Sequence, residues 1–199
     1  MTLAVAVAEG VWLGSHQPSL PRLRRDAVQR LRDRSAARRA YDVALRASGL
    51  PRALATVSLS HTEGVGAAVI GSRRRLVGVD VVRITRVRRR HAEALLHLGE
   101  SRALRGLGSL GPAVVWGLKE AAAKATGVPE LCFPELLRIV ACADGRARVL
   151  VLSATPLRLT GGWLRRGKFL YAWVATPPGS DRANQLFPDP GLPGHVQAS

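Results

Sequence analysis

At 199 residues the chain is long enough for one domain with a substantial core or for two small similar halves, and length alone leaves both open. Its composition, 47% hydrophobic with three Phe and two Tyr, is that of an ordinary globular protein whose core rests on Leu, Val, Ala and four Trp; no run reaches the ~18 apolar residues of a membrane-spanning helix. Charge is the outlier, because 30 Lys+Arg against 14 Asp+Glu give a formal +16, a balance that attracts phosphates, acidic proteins or nucleic acid, or that is merely solvated.

Leu3 to Ala8 is a short apolar run suited to a buried first strand, without the basic leader or cleavage pattern of an export signal. Beyond a loop through Gly14, Pro18 and Pro21, apolar residues recur at helical spacing among many arginines from Arg22 to Ser48, which fits one long helix or two shorter ones. Gly49 and Pro51 stop that pattern, and Ala55 to Ser60 reads as a strand running into His61. Gly64 to Ile70 reads as a second strand, turned through the basic segment Gly71 to Arg75 into a third, Leu76 to Val82, as a hairpin. His91 to Leu107 reads as a helical, Arg-rich region that contains Glu100. After a break at Gly108 to Pro112, a helix is expected from Ala113 to Thr126, ended by Gly127 and Pro129.

Leu136 to Ala141 and Ala147 to Leu152 flank Asp144-Gly145, a strong local hairpin signal, and Phe169 to Ala175 gives a last strand. From Thr176 onward low hydrophobicity and repeated Pro and Gly predict a disordered tail. Cys132 and Cys142 have no metal-type spacing and read as reduced core residues of a cytoplasmic protein, in or near neighbouring strands.

Chemistry concentrates on the helix Val115 to Lys124. Trp116, Glu120 and Lys124 fall at i, i+4 and i+8, so an aromatic ring, a carboxylate and an ammonium share one face, and the alanines around them let another element approach closely. Asp80 lies at the end of an apolar strand, where an unpaired carboxylate is costly. We read Asp80 and Glu120 as meeting to hold a divalent cation. Two oxygen ligands from separate elements, with other positions left open, are what Mg²⁺ acting on a phosphate substrate requires. The plain alternatives stay open on spacing alone: an i,i+4 ion pair between Glu120 and Lys124, a strand-end turn residue at Asp80, and a neutral imidazole bonded to backbone at His61.

Three segments, Ser58-Leu59-Ser60-His61, Val77-Gly78-Val79-Asp80 and Trp116 to Lys124, stand in the order and approximate spacing of the 4′-phosphopantetheinyl transferases. The chain resembles a compact member of the surfactin-synthetase-activating class, with the clear likeness spanning Thr56 to Val128. The resemblance implies that Asp80 and Glu120 ligate Mg²⁺ together with the pyrophosphate of coenzyme A, and that Glu120 deprotonates the attacking serine of a carrier protein. It further implies that Lys119 and Lys124 hold phosphates, that Ser60 and His61 contact the nucleotide end of coenzyme A, that Trp116 braces the helix, and that Asp80, Glu120 and Lys124 form the catalytic set. Two departures stand out. Val82 occupies the position where many members place a third acid, and no Gly-Lys-Pro segment precedes the Ser-x-Ser-His motif.

The implied fold is α+β, a pseudo-dimer of two similar halves, each a small mainly antiparallel sheet packed on helices, with coenzyme A and Mg²⁺ in the cleft between them. The halves are expected at residues 1–75 and 76–176, the second carrying the metal site, with 177–199 as the tail. Expected partners are coenzyme A and an acidic acyl or peptidyl carrier protein, towards which the basic excess would steer association, and the chain is expected to be a monomeric cytoplasmic enzyme without membrane contact. A basic nucleic-acid-binding module competes on the strength of +16 and the Arg73–Arg75 and Arg88–Arg90 clusters, against which no helix-turn-helix, zinc-finger or aromatic stacking signature is seen. A catalytically degenerate transferase that only binds carrier protein is the third reading.

Overall fold

A computed structural model describes residues 4–9, 22–97, 100–102, 104–129 and 133–177. It is a mixed α+β structure of two antiparallel sheets packed on helices. The first sheet has three strands in the order β1-β3-β2: β1 (Ala4–Glu9), β2 (Ala55–Thr62) and β3 (Val65–Ser72). The second has five in the order β4-β8-β7-β6-β5: β4 (Val77–Arg83), β5 (Leu137–Ala143), β6 (Arg146–Val151), β7 (Leu157–Arg166) and β8 (Phe169–Ala175).

Arg22–Ser48 forms one continuous helix, α1. It lays Ala40, Tyr41 and Ala44 on Ala68 and Ile70 of β3. The motif helix α3 (Gly111–Thr126) is ended by Gly127 in the left-handed region, φ 78°, whose N–H returns to the Ala123 carbonyl at 2.7 Å. Val114, Leu118 and Ala122 of α3 pack on Leu137, Val149 and Leu170 of the second sheet. A second core lies between the sheets, where Val65 and Val69 meet Val79, Val81 and Tyr171.

Several expectations need correction. Strands β3 and β4 do not form a hairpin: β3 is already flanked by β1 and β2, and β4 leaves to pair with β8. The hairpin is β2–β3, closed by Glu63 and Gly64, both at positive φ. The region His91 to Leu107 is not one helix. It holds the short helix α2 (Arg89–Ala94) and a 3₁₀ turn at Glu100–Arg102, which leaves Glu100 buried rather than on a solvated helix face.

Strand β7 has no counterpart among the expected elements, because Gly161-Gly162 in its middle reads as a turn. Both glycines are demanded by packing: a Cβ on Gly161 would stand 1.9 Å from the Trp173 carbonyl oxygen, and one on Gly162 2.3 Å from that of Gly145. A four-residue helix, α4 (Phe133–Leu136), precedes β5. Cys142 is a buried free thiol on β5, whereas Cys132 and the tail from 178 lie outside the described residues. Among the described residues no helix is long and apolar enough to cross a membrane.

Candidate active site

The site forms where the edge strands of the two sheets meet under α3. Strand β4 has backbone donors on the side away from β8, and β2 supplies side-chain acceptors for them: Val79 N–H donates to Ser58 Oγ and Val81 N–H to Ser60 Oγ, both at 3.1 Å. The Ser-x-Ser spacing thus puts two hydroxyls on one face of β2, in step with alternate amides of β4.

Helix α3 crosses β4 closely because Gly78 has no side chain. A Cβ there would stand 1.8 Å from the Ala121 carbonyl oxygen. This contact brings the Trp116-Glu120-Lys124 face of the helix over Asp80. Lys124 Nζ sits 2.7 Å from Asp80 Oδ1 and also donates to Ser60 Oγ at 3.2 Å and to the Val79 carbonyl at 3.3 Å. Ser60 Oγ in turn donates to Asp80 Oδ1 at 2.8 Å, within a largely buried network. Three residues from three elements are therefore locked together, and Lys124 is the ammonium beside Asp80.

An open cleft of about 560 Å³ spreads from this network, and Asp80, Glu120, Lys124, Ser60, His61 and Trp116 all line it. Five of the six expected site residues are so gathered, namely Asp80, Glu120, Lys124, Ser60 and His61. His61 is half exposed at the rim, its Nδ1 3.9 Å from Asp33 Oδ2 on α1. The same Asp33 accepts from the Gly64 amide, which ties the β2–β3 turn to α1.

Lys119 is the sixth, and it does not face the cleft. It is fully buried on another side of α3, where its ammonium meets Glu100 at 2.8 Å and donates to the carbonyls of Leu95, Phe133 and Leu137. The reason is helical geometry, since neighbouring residues point ~100° apart and Lys119 cannot share the direction of Glu120. Glu100 completes the arrangement by accepting from the His97 and Ile139 amides. Burial pushes the Lys119 ammonium below its ordinary range, and the bond and charge of Glu100 work against that shift.

One rim cluster went unread in the sequence. Glu63, held at φ 47° in the β2–β3 turn, bonds Arg83 Nη1 through both carboxylate oxygens, at 3.1 and 2.9 Å, and Arg86 Nη2 at 2.9 Å. Arg83 and Arg86 also line the cleft. The signal available was slight: an acid beside the Ser-His motif in a chain with few acids, and arginines soon after Asp80.

The donor set fits a hard divalent cation in a limited way. Asp80 and Glu120 offer carboxylate oxygens from two elements to one open cleft, as Mg²⁺ sharing its shell with water and phosphate oxygens needs. Val82, which also lines the cleft, brings no ligand, and among the described residues no group of three or more His, Cys, Asp or Glu is placed to hold a metal ion. Residues 76–167 match the family model of the 4′-phosphopantetheinyl transferase superfamily, a stretch that contains Asp80, Glu120 and Lys124 but not Ser60 or His61. No curated protein matches the chain.

Proposed function

Residues 76–167 carry a 4′-phosphopantetheinyl transferase superfamily domain, and from that premise we propose that the chain moves the 4′-phosphopantetheine group of coenzyme A onto a serine hydroxyl of an acyl or peptidyl carrier protein. The observation that carries this reading is the convergence of Asp80, Glu120, Lys124 and His61 on one open cleft between two edge strands and a helix. In this reading the serine oxygen bonds to the β-phosphorus while the bond from that phosphorus to the departing 3′,5′-adenosine diphosphate breaks. Glu120 receives the serine proton, directly or through water.

Lys124, already beside Asp80, offers its ammonium to the phosphate oxygens as charge develops on the leaving group. Ser60 holds Asp80 and Lys124 in register, and His61 at the rim meets the nucleotide end of coenzyme A. Asp80 and Glu120 would hold Mg²⁺, which when bound neutralises phosphate charge. Lys119 is given no part in binding coenzyme A. We read the two sheets with their helices as the related halves of a pseudo-dimer, and the enzyme as monomeric and cytoplasmic.

The test is to incubate the chain with coenzyme A, Mg²⁺ and apo carrier proteins and weigh the carriers by mass spectrometry. Addition of phosphopantetheine is expected, falling by about a hundredfold or more in Asp80→Asn and in Glu120→Gln, with circular dichroism unchanged. No adduct on any of several carriers would reject the activity, and near-normal transfer in either variant would reject the metal assignment.

A further inference from the structure

The two sheets are joined along β2 and β4 in steps of two residues. Ser58 meets Val79 and Ser60 meets Val81, and the same step continued leads from Thr62, the last residue of β2, towards Arg83, the last of β4. The β2–β3 turn begins there. Glu63 lies in it at φ 47°, in the left-handed region that few residues with a side chain adopt, and its side chain is only 18% exposed. The two carboxylate oxygens accept from Arg83 Nη1 at 3.1 and 2.9 Å, Arg86 Nη2 lies 2.9 Å away, and Lys168 Nζ stands at 3.9 Å. One carboxylate on the turn of the three-stranded sheet thus gathers three cations from the five-stranded side: Arg83 at the end of β4, Arg86 on the 3₁₀ turn Ile84–Arg86, and Lys168 between β7 and β8.

The cluster keeps an excess of positive charge. Arg83 also donates through Nε to Thr85 Oγ1 at 3.1 Å, and among the described residues the Arg86 side chain bonds Glu63 alone. A guanidinium carries five N–H donors, so both arginines have donors to spare, and both line the cleft that holds Lys124 and His61. Held through one nitrogen, a guanidinium presents the others in a fixed plane suited to a pair of phosphate oxygens, and part of the side-chain entropy that binding costs is already lost.

We infer that Glu63 is a positioning residue for the transfer reaction proposed above, on which this inference rests: it orients Arg83 and Arg86 at the cleft rim to bind phosphate oxygens of coenzyme A. Concave placement favours such a small polyanion over carboxylates on a docked protein, because Arg83, Arg86 and Lys124 open on one cleft of about 560 Å³. The charge of Glu63 by itself opposes anion binding, whereas the orientation it imposes favours it. The two effects predict opposite results when the carboxylate is removed or shifted.

The experiment uses the full chain with Mg²⁺. Calorimetric titration with coenzyme A gives Kd, and initial rates of transfer give kcat and the KM for coenzyme A and for the carrier protein. Glu63→Gln removes the charge and Glu63→Asp draws it back by one methylene; each is expected to raise Kd and the KM for coenzyme A about tenfold, with kcat and the carrier KM within about twofold of the parent. In Arg83→Gln/Arg86→Gln, itself weakened about tenfold or more, Glu63→Gln should add less than about twofold, because neither guanidinium is left to orient. Tighter or unchanged coenzyme A binding in the Glu63 variants, a change confined to the carrier KM, or an additive loss in the arginine background would overturn the inference. Should Glu63→Gln fail to fold, Glu63→Asp decides by the same measures. A parent chain that transfers phosphopantetheine no better than these variants removes this inference alone, whereas a parent that binds no coenzyme A removes the transfer reading with it.

Discussion

Lys119 and Lys124 stand five residues apart on one helix and meet opposite surroundings. Lys124 reaches the cleft and neutralises Asp80, whereas Lys119 is sealed in the core with Glu100 as its counter-charge. Removing one member of such a pair leaves the other buried and unpaired, so Lys119→Met is expected to lower stability by about 3–5 kcal/mol, while Lys119→Met with Glu100→Leu recovers much of the loss. Urea unfolding of the two variants measures this, and equal destabilisation in both would contradict the pairing. Cys142 is likewise buried, as a free thiol on β5. Burial raises its thiol above the ordinary range, so over the pH interval where an unfolded thiol ionises the folded state keeps its proton. Stability therefore falls as pH rises through that interval, and at pH 8 iodoacetamide should label Cys142 in urea but spare it in the folded chain, as peptide mapping would reveal.

At the scale of elements, the contact of α3 with β4 sets the active geometry. Helix and strand touch at Gly78 and Ala121, which lets side chains as short as Asp80 and as long as Lys124 meet at 2.7 Å. Gly78→Ala puts a methyl group where the Ala121 carbonyl lies, and the helix must move away. The expected result is a loss of about 3 kcal/mol or more in urea unfolding. Transfer activity should fall at the same time, since Asp80 and Glu120 are separated by the same displacement. A variant as stable as the parent would show that the crossing is looser than the distance implies. The unexpected strand β7 belongs to the same logic, because its glycines are required by the close passage of β8 and of the β5–β6 turn.

For the molecule as a whole, the joint between the sheets is made of serine hydroxyls and valines rather than a continuous ladder. Ser58 and Ser60 both accept from β4, and Ser60 alone also bonds Asp80. Ser58→Ala leaves the Val79 amide without its acceptor and should cost about 1–3 kcal/mol in urea unfolding while sparing transfer. Ser60→Ala should cost a similar amount and reduce transfer as well. Matching activities in the two variants would argue against a special place for Ser60. Arg75 seals the far end of the joint by donating to the Thr176 carbonyl, so the chain between the sheets is tied to the end of β8.

Elements whose signals are local were legible in the amino-acid order. Helix α3 lies within two residues of its expected span because its alanines favour the helix and Gly127 ends it, and the Asp144-Gly145 turn of β5–β6 follows from two residues able to take positive φ. The face shared by Trp116, Glu120 and Lys124 was legible for the same reason, as a matter of 3.6-residue spacing. Tertiary structure alone decided the rest. Which sheet β4 joins depends on the free edges of distant strands, and whether Lys119 meets solvent or Glu100 depends on what packs against each side of α3. The contact of Lys124 with Asp80 is of the same kind, since a carboxylate on a neighbouring strand, brought within 2.7 Å by a missing Cβ at Gly78, holds the ammonium in a largely buried network that no spacing along the helix announces.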